Sequence, residues 1–262
     1  MSQEMRARWA AAAAAWEESN DFWQRDTLPV SSRMVEEISP QPGHTVLELA
    51  AGLGDTGFLA AELIQPGGTL ICSDFVPEML SAAQRRAEAL GLRNVRFKQI
   101  DAQRPIDLEA GTIDGVLCRW GYMVMTDAEA ALRETRRVLR SRGRVALAAW
   151  AAADDNPWLR LPIDVLDRRG VLPPPPPGAG PFAWSQADAI VDHLEGAGFY
   201  DATVEAVDFP LRFESVDEWW DTEFRRSGRL SSAGPFDRDA VVAELTEASA
   251  PYRAADGGLI RS

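Results

Sequence analysis

Between residues 45 and 150 the chain alternates short apolar runs with stretches of helical period, the pattern of βαβ units around a parallel sheet. The predicted strands are Thr45–Ala50, Thr69–Ser73, Val95–Ile100, Ile113–Cys118 and Arg144–Trp150. Helices are predicted between them near Thr56–Ile64, Pro77–Leu90 and Asp127–Leu139. Breakers fall where turns are needed: Pro66-Gly67-Gly68, Gly91, and Ser141-Arg142-Gly143. The strands are apolar nearly throughout, as expected where helices cover both faces of a sheet.

After Trp150 the pattern changes. A loop enters a helix, and VLPPPPPGAGPFAW follows, a Pro/Gly-rich stretch that can be neither helix interior nor central strand. It reads as a stiff surface linker between two helices, with a polyproline recognition segment as the alternative. A helix capped by Ser185 is expected to run to Ala197 and end at Gly198. A sixth strand is predicted over about Ala202–Phe209, then helices near Val216–Arg226 and Asp237–Ala250. The N-terminal MSQEMRARWAAAAAAWEESNDFW has acids on both sides of its apolar block and reads as a helix, not a signal peptide. Its aromatics Trp9, Trp16, Phe22 and Trp23 are expected to pack on the sheet, or to form a lid.

Composition narrows the function classes. The net charge of −13 argues against a nucleic-acid partner, which would need clustered cations. The one basic cluster, Arg133, Arg136, Arg137, Arg140 and Arg142, lies on or just past a helix that also carries Glu129 and Glu134 and reads as a solvated face. No apolar run reaches the roughly 20 residues of a membrane span, so no membrane partner is expected. Cys72, Cys118, His44 and His193 are too scattered to form a metal cluster. A reduced bacterial cytoplasm is the expected compartment.

The chemistry concentrates in ELAAGLGDTG, Glu48 to Gly57. Gly52 to Gly57 match G-x-G-x-x-G, and a strand running through such a loop into a helix aims backbone N–H groups at a ligand. Dinucleotide enzymes and methyltransferases both use that geometry. Glu48 separates them: an acid at the strand's end repels a pyrophosphate but attracts an ammonium group. Asp74, at the end of the second strand, can accept from ribose hydroxyls and serves either ligand. Gly57 then reads as no more than the first turn of a helix.

With the register Glu48-x-Ala50-x-Gly52-x-Gly54, the stretch resembles motif I of the class I S-adenosylmethionine-dependent methyltransferases. Asp101-Ala102-Gln103 after the third strand follows the same order. CRWGYMVMTDAEAALRETRRVLRSRGRVALAAW resembles the family's later core, and Asn156-Pro157-Trp158 resembles its ubiquinone/menaquinone-biosynthesis branch. Ala50 replaces a usual glycine, which alanine can serve if φ stays negative. The resemblance implies a Rossmann-like α/β three-layer sandwich with a mostly parallel seven-stranded sheet, order 3-2-1-4-5-7-6. The tail GGLIRS suffices only to begin the seventh strand, leaving it short or truncated. One domain over 1–262 is implied, its cofactor core about 36–150 and 185–210. An acceptor-side cap would come from 1–35, 151–184 and 211–262.

The implied cofactor is S-adenosylmethionine, with Glu48, Ala50, Gly52, Gly54, Asp74, Phe75, Asp101, Ala102, Gln103, Cys118 and Arg119 as its contacts. The implied activity is methyl transfer to a small molecule. The tryptophans Trp158, Trp184, Trp219 and Trp220 point to an apolar or aromatic acceptor. Trp120, Tyr122 and Met123 follow the fourth strand and are candidates for its pocket. No histidine–carboxylate pair stands out as a base; Tyr122, Asp154 and Asp155 are the candidates. The competing readings are an NAD(P)-dependent oxidoreductase and a non-catalytic S-adenosylmethionine-binding protein.

Overall fold

The structure, a computed structural model, describes residues 3–209, 211–253 and 259–260. Helices α1 (Gln3–Glu18) and α2 (Asn20–Ile38) lead into β1 (Thr45–Glu48), α3 (Asp55–Leu63), β2 (Thr69–Asp74), α4 (Pro77–Ala89) and β3 (Val95–Gln99). Then come β4 (Ile113–Arg119), α5 (Ala128–Val138), β5 (Leu139–Ala148), α6 (Pro157–Arg168) and α7 (Ala187–Gly196). Next follow β6 (Arg212–Phe213), α8 (Val216–Arg226), α9 (Arg238–Ala248) and β7 (Leu259–Ile260).

Strands β3-β2-β1-β4-β5 form one parallel sheet. Val46, Leu47, Leu70, Cys72, Val116 and Leu117 have no solvent exposure, which is why these strands read as continuous apolar runs. The strand order reverses at β1, whose Glu48 lies between Cys72 of β2 and Leu117 of β4. This is the crevice in which open α/β sheets bind ligands. Gly115 lets α2 lie directly on β4, because a Cβ there would stand 3.0 Å from Ile38 Cδ1. Met34, Val35 and Ile38 therefore belong to the core.

The second half of the chain departs from expectation in three places. Residues 202–209 form no strand: an order 5-7-6 needs a strand between β5 and this segment, and β7 pairs antiparallel with Arg212–Phe213 instead. The segment pairs with neither sheet, and its exposed part faces outward, with Val204 43% exposed and Glu205 bonded to Arg33. Ser185 does not cap α7; Gln186 occupies the cap position without a side-chain bond. The polyproline stretch is not a mere surface linker, because Pro174, Pro175, Pro176 and Pro181 line the central cavity, held there by Gly180 N–H donating to the Met123 carbonyl. The helices after it behave as read: Ser215 caps α8 and Asp237 caps α9. Among the described residues no helix is long and apolar enough to cross a membrane.

Candidate functional site

A cavity of about 290 Å³ opens at the carboxyl ends of β1, β2 and β4. Glu48, Asp74 and Asp101 reach it from the ends of the first three strands, with Ala50, Gly52, Phe75 and Ala102 between them. Trp120 and Trp150 reach it from beyond β4 and β5, and Trp158 from α6. The two halves of the sheet thus present an acidic lining and an aromatic lining to one space.

The loop from β1 to α3 is wound left-handed, with φ of +50° at Ala50, +55° at Gly52 and +83° at Gly54. Ala50 does not keep the negative φ expected of it; a loop this tight imposes the glycine conformation on whatever residue sits there. Gly54 lies off the cavity lining, and a Cβ on it would meet the Phe58 ring at 2.5 Å. The loop is clamped by Asp74, whose Oδ2 accepts from Gly52 N–H and Oδ1 from Val76 N–H, both at 2.9 Å. Burial raises the Asp74 pKa against the pull of these backbone bonds.

Glu48 is 2% exposed. Its Oε1 accepts from Gly57 N–H at 2.9 Å, and its Oε2 has no hydrogen-bond partner. Burial pushes its pKa up to about 8. Gly57 is more than a first turn, since a Cβ on it would stand 2.3 Å from Glu48 Oε2.

Arg119 lines the cavity, but its guanidinium is engaged beside the loop. Nη2 donates to Asp55 Oδ2 at 2.7 Å, and Nη1 donates to Thr27 Oγ1 and Ser31 Oγ of α2. Arg86 holds the other Asp55 oxygen at 2.8 Å and also donates to the Leu53 carbonyl. Asp55 is thus the buried anchor of the loop's end. Asp101 Oδ1 accepts from the Gln103 backbone and side-chain amide. Gln103 does not line the cavity; its Oε1 accepts from Thr126 and Asp127, tying the segment to the start of α5.

Besides Gly54 and Gln103, four more sequence candidates fall away from the cavity lining. Cys118 is fully buried outside it, where its Sγ would stand 2.5 Å from a Cβ on Gly121, and burial raises its pKa to about 12. Tyr122 turns into the core: its hydroxyl pairs with Thr135 Oγ1 at 2.6 Å and its ring stacks on Trp184, which stacks in turn on His193. Burial drives its phenol far above the ordinary value. Asp154, 93% exposed beside Arg160, and Asp155, also exposed, lie outside the cavity. Trp120 and Met123 do line it. Trp120 holds φ at +57°, stacks on Trp150 with centroids 4.2 Å apart, and carries the Arg119 guanidinium over its ring.

Sequence reasoning missed Glu223 and Arg226, both buried and both on the lining. The signal was present, because in VDEWWDTEFRR they share the helical face of Trp219 and Trp220. Of the N-terminal aromatics, Trp9, Trp16 and Trp23 face the cavity, with Trp16 Cζ3 3.5 Å from a Cβ position on Gly52.

Comparison with known proteins agrees with this architecture. Residues 40–162 match a family described as a methyltransferase domain. The chain is 29% identical over 233 residues to nocamycin O-methyltransferase of Saccharothrix syringae, covering 83% of this chain and 81% of that protein. It is 39% identical over 102 residues to demethylmenaquinone methyltransferase of Thermus thermophilus, a match spanning 39% of this chain and 45% of the relative. The YcgJ protein of Bacillus subtilis shares the fold, with a TM-score of 0.60 at 22% identity over 88% of this chain and 92% of that one. Glycine loop, strand-end acids and relatives converge: residues 40–162 form a methyltransferase domain of the S-adenosylmethionine-dependent kind.

Proposed function

We propose that this enzyme methylates a small, planar, largely apolar molecule, with the donor bound over the glycine loop between Glu48, Asp74 and Asp101. One observation carries the reading: the strand-end acids and the tryptophans Trp120, Trp150 and Trp158 line one cavity. The residues fit the donor. Glu48 Oε2, buried without a partner, suits its α-ammonium group. Asp74 is held by backbone N–H groups of Gly52 and Val76, which orient its carboxylate as an acceptor for a ribose hydroxyl. Asp101 and Ala102 form the lining next to the β2 acid, where an adenine amino group needs an acceptor.

S-adenosylmethionine supplies an electrophilic methyl group on a sulfonium that leaves neutral. The protein therefore has no developing anion to stabilise on the leaving group. Its work is to align the acceptor's nucleophile in line with the methyl carbon, at roughly 3 Å, and to exclude water. Trp9 and Trp16 of α1 and the proline stretch serve exclusion, and the tryptophans after β4 and β5 orient a flat acceptor. In this reading 1–35, 151–184 and 211–262 supply the acceptor side. The relative named for nocamycin supports a small-molecule acceptor.

Calorimetry tests the donor site. S-adenosylhomocysteine is expected to bind the wild type, and Glu48→Ala to weaken it by at least about tenfold. NADH binding without any response to S-adenosylhomocysteine would sink the proposal. A screen of planar small molecules for methylated product then identifies the acceptor.

A further inference from the structure

Helix α8 carries an acid on its packing face. Trp219, Trp220, Glu223 and Arg226 share that face at three- and four-residue spacing, and all are buried. Glu223 is 4% exposed, lines the cavity, and its Oε1 has no hydrogen-bond partner. A buried carboxylate in that condition is destabilising unless a ligand completes it. The helix is fixed in place. Trp219 Nε1 donates to the Trp158 carbonyl at 2.9 Å, Ser215 Oγ accepts from Glu218 N–H at 3.1 Å, and Trp219 and Trp220 are each 1% exposed.

The neighbours leave Glu223 poised to take a proton. Arg226, on the same helix, is the charge that acts on it. Arg226 lies over the rings of Trp16 and Trp23 at 4.1 and 4.5 Å and donates to Ser19 Oγ. Burial outweighs that attraction and raises the Glu223 pKa to about 8, while it lowers Arg226 to about 9. Helix α1 brings Arg8 to the cavity, and the turn after α8 brings Arg229, whose Nη2 donates to Asp167 at 2.8 Å. Helix α6 contributes Trp158, Leu159 and Ile163, none titratable. The buried residues of α9 are Val241 and Leu245, and Arg212 of β6 is exposed.

We propose that Glu223 is the acceptor-side base, and that the acceptor is a planar molecule carrying an ionisable hydroxyl on or beside its ring. This rests on the reading of the cavity as the site of methyl transfer. The hydroxyl proton passes to the Glu223 carboxylate, and the oxygen lone pair forms the bond to the methyl carbon. The electron pair of the broken C–S bond stays on sulfur. The positive charge lost from the sulfonium reappears as the proton on Glu223, which returns it to water when the product leaves. The flat faces of Trp120 and Trp150 suit the ring, and a buried acceptor oxygen discriminates strongly for a ligand that brings a donor.

The test compares 2-naphthol with 2-methoxynaphthalene, which lacks the proton, on the full chain saturated with S-adenosylhomocysteine, from about pH 6 to about pH 9. The wild type is expected to prefer the naphthol by about tenfold or more at the upper end. That preference should shrink as pH falls and Glu223 takes up its proton. Glu223→Gln should abolish both the preference and its pH dependence while leaving S-adenosylhomocysteine affinity unchanged. Equal wild-type affinity for the two probes at every pH, failure of 2-naphthol to bind, or an undiminished preference in Glu223→Gln overturns the assignment. Failure of the wild type to bind S-adenosylhomocysteine, read in the same titrations, overturns the donor site first and this base with it.

Discussion

Glu48 and Gly57 interlock: Gly57 N–H donates to Glu48 Oε1 at 2.9 Å, and a Cβ on residue 57 would stand 2.3 Å from Oε2. The last glycine of the loop is therefore a receptor for the acid that precedes the first. Gly57→Ala should displace the carboxylate, cost about 1–3 kcal/mol of stability, and lower Tm by roughly 2–10 °C. Affinity for S-adenosylhomocysteine should fall by at least about tenfold. Wild-type Tm and affinity in this variant would show that Glu48 does not depend on residue 57.

The same carboxylate makes stability depend on pH. Its ordinary value is 4.5 and burial raises it to about 8, so between these the folded protein holds a proton that the unfolded chain lacks. Stability from this group is complete below 4.5, falls as pH rises, and levels off above about 8. Glu223, also raised to about 8, adds a slope of the same sign. Glu48→Gln should flatten the decline by on the order of 3 kcal/mol, seen as a smaller loss of stability between denaturant titrations at the two ends of the window. An ammonium beside Oε2 favours the ionised form. S-adenosylhomocysteine should then bind with proton release, measurable by calorimetry in buffers of different ionisation heat.

The strands and the strand-end acids were legible because both depend on local pattern. A buried parallel strand is a short apolar run, and its carboxyl end is where an acid such as Glu48 or Asp74 meets the crevice. What was hidden depends on contacts distant in sequence. Tyr122 faces the core because Thr135 receives its hydroxyl, and α8 reaches the cavity because Trp219 bonds the carbonyl of Trp158. Composition marked the proline stretch as stiff, but only the bond from Gly180 to Met123 sets it against the cavity. Residues 202–209 carry a strand's residues without a strand's partner.

Ala50 carries a strain that a glycine would not. Its φ of +50° disfavours any residue with a Cβ, and its own Cβ is 2.8 Å from where a Cβ on Gly121 would lie. Ala50→Gly relieves the strain at the cost of a more flexible unfolded chain, for a net gain of about 0.5 kcal/mol. Ala50→Val should lose about 1–3 kcal/mol, because the β-branched side chain suffers both the backbone and the crowding. Thermal denaturation of the pair checks the order; a valine variant as stable as the glycine one contradicts the left-handed turn.

Asp55 is the strongest test of how the loop is anchored. It is 6% exposed and binds two arginines at 2.8 and 2.7 Å, Arg86 from α4 and Arg119 from β4. Both guanidinium groups are themselves largely shielded, at 16% and 11% side-chain exposure. Removing one charge from a buried set leaves the others uncompensated, at a cost of about 3–5 kcal/mol. Asp55→Asn keeps the shape and removes the charge, so the loss reads as electrostatic. Tm should fall by roughly 6–15 °C. The pair between Arg85 and Glu17, 58% and 40% exposed, spans α4 and α1 at the same 2.7 Å, yet water already solvates it, so Glu17→Gln should leave Tm almost unchanged. Because Arg119 also holds Thr27 and Ser31, Asp55→Asn should loosen α2 against the loop. Hydrogen exchange should then quicken around Thr27–Ser31 and Leu53–Gly57 more than in β2. Equal protection in both variants would place the anchor of the loop elsewhere.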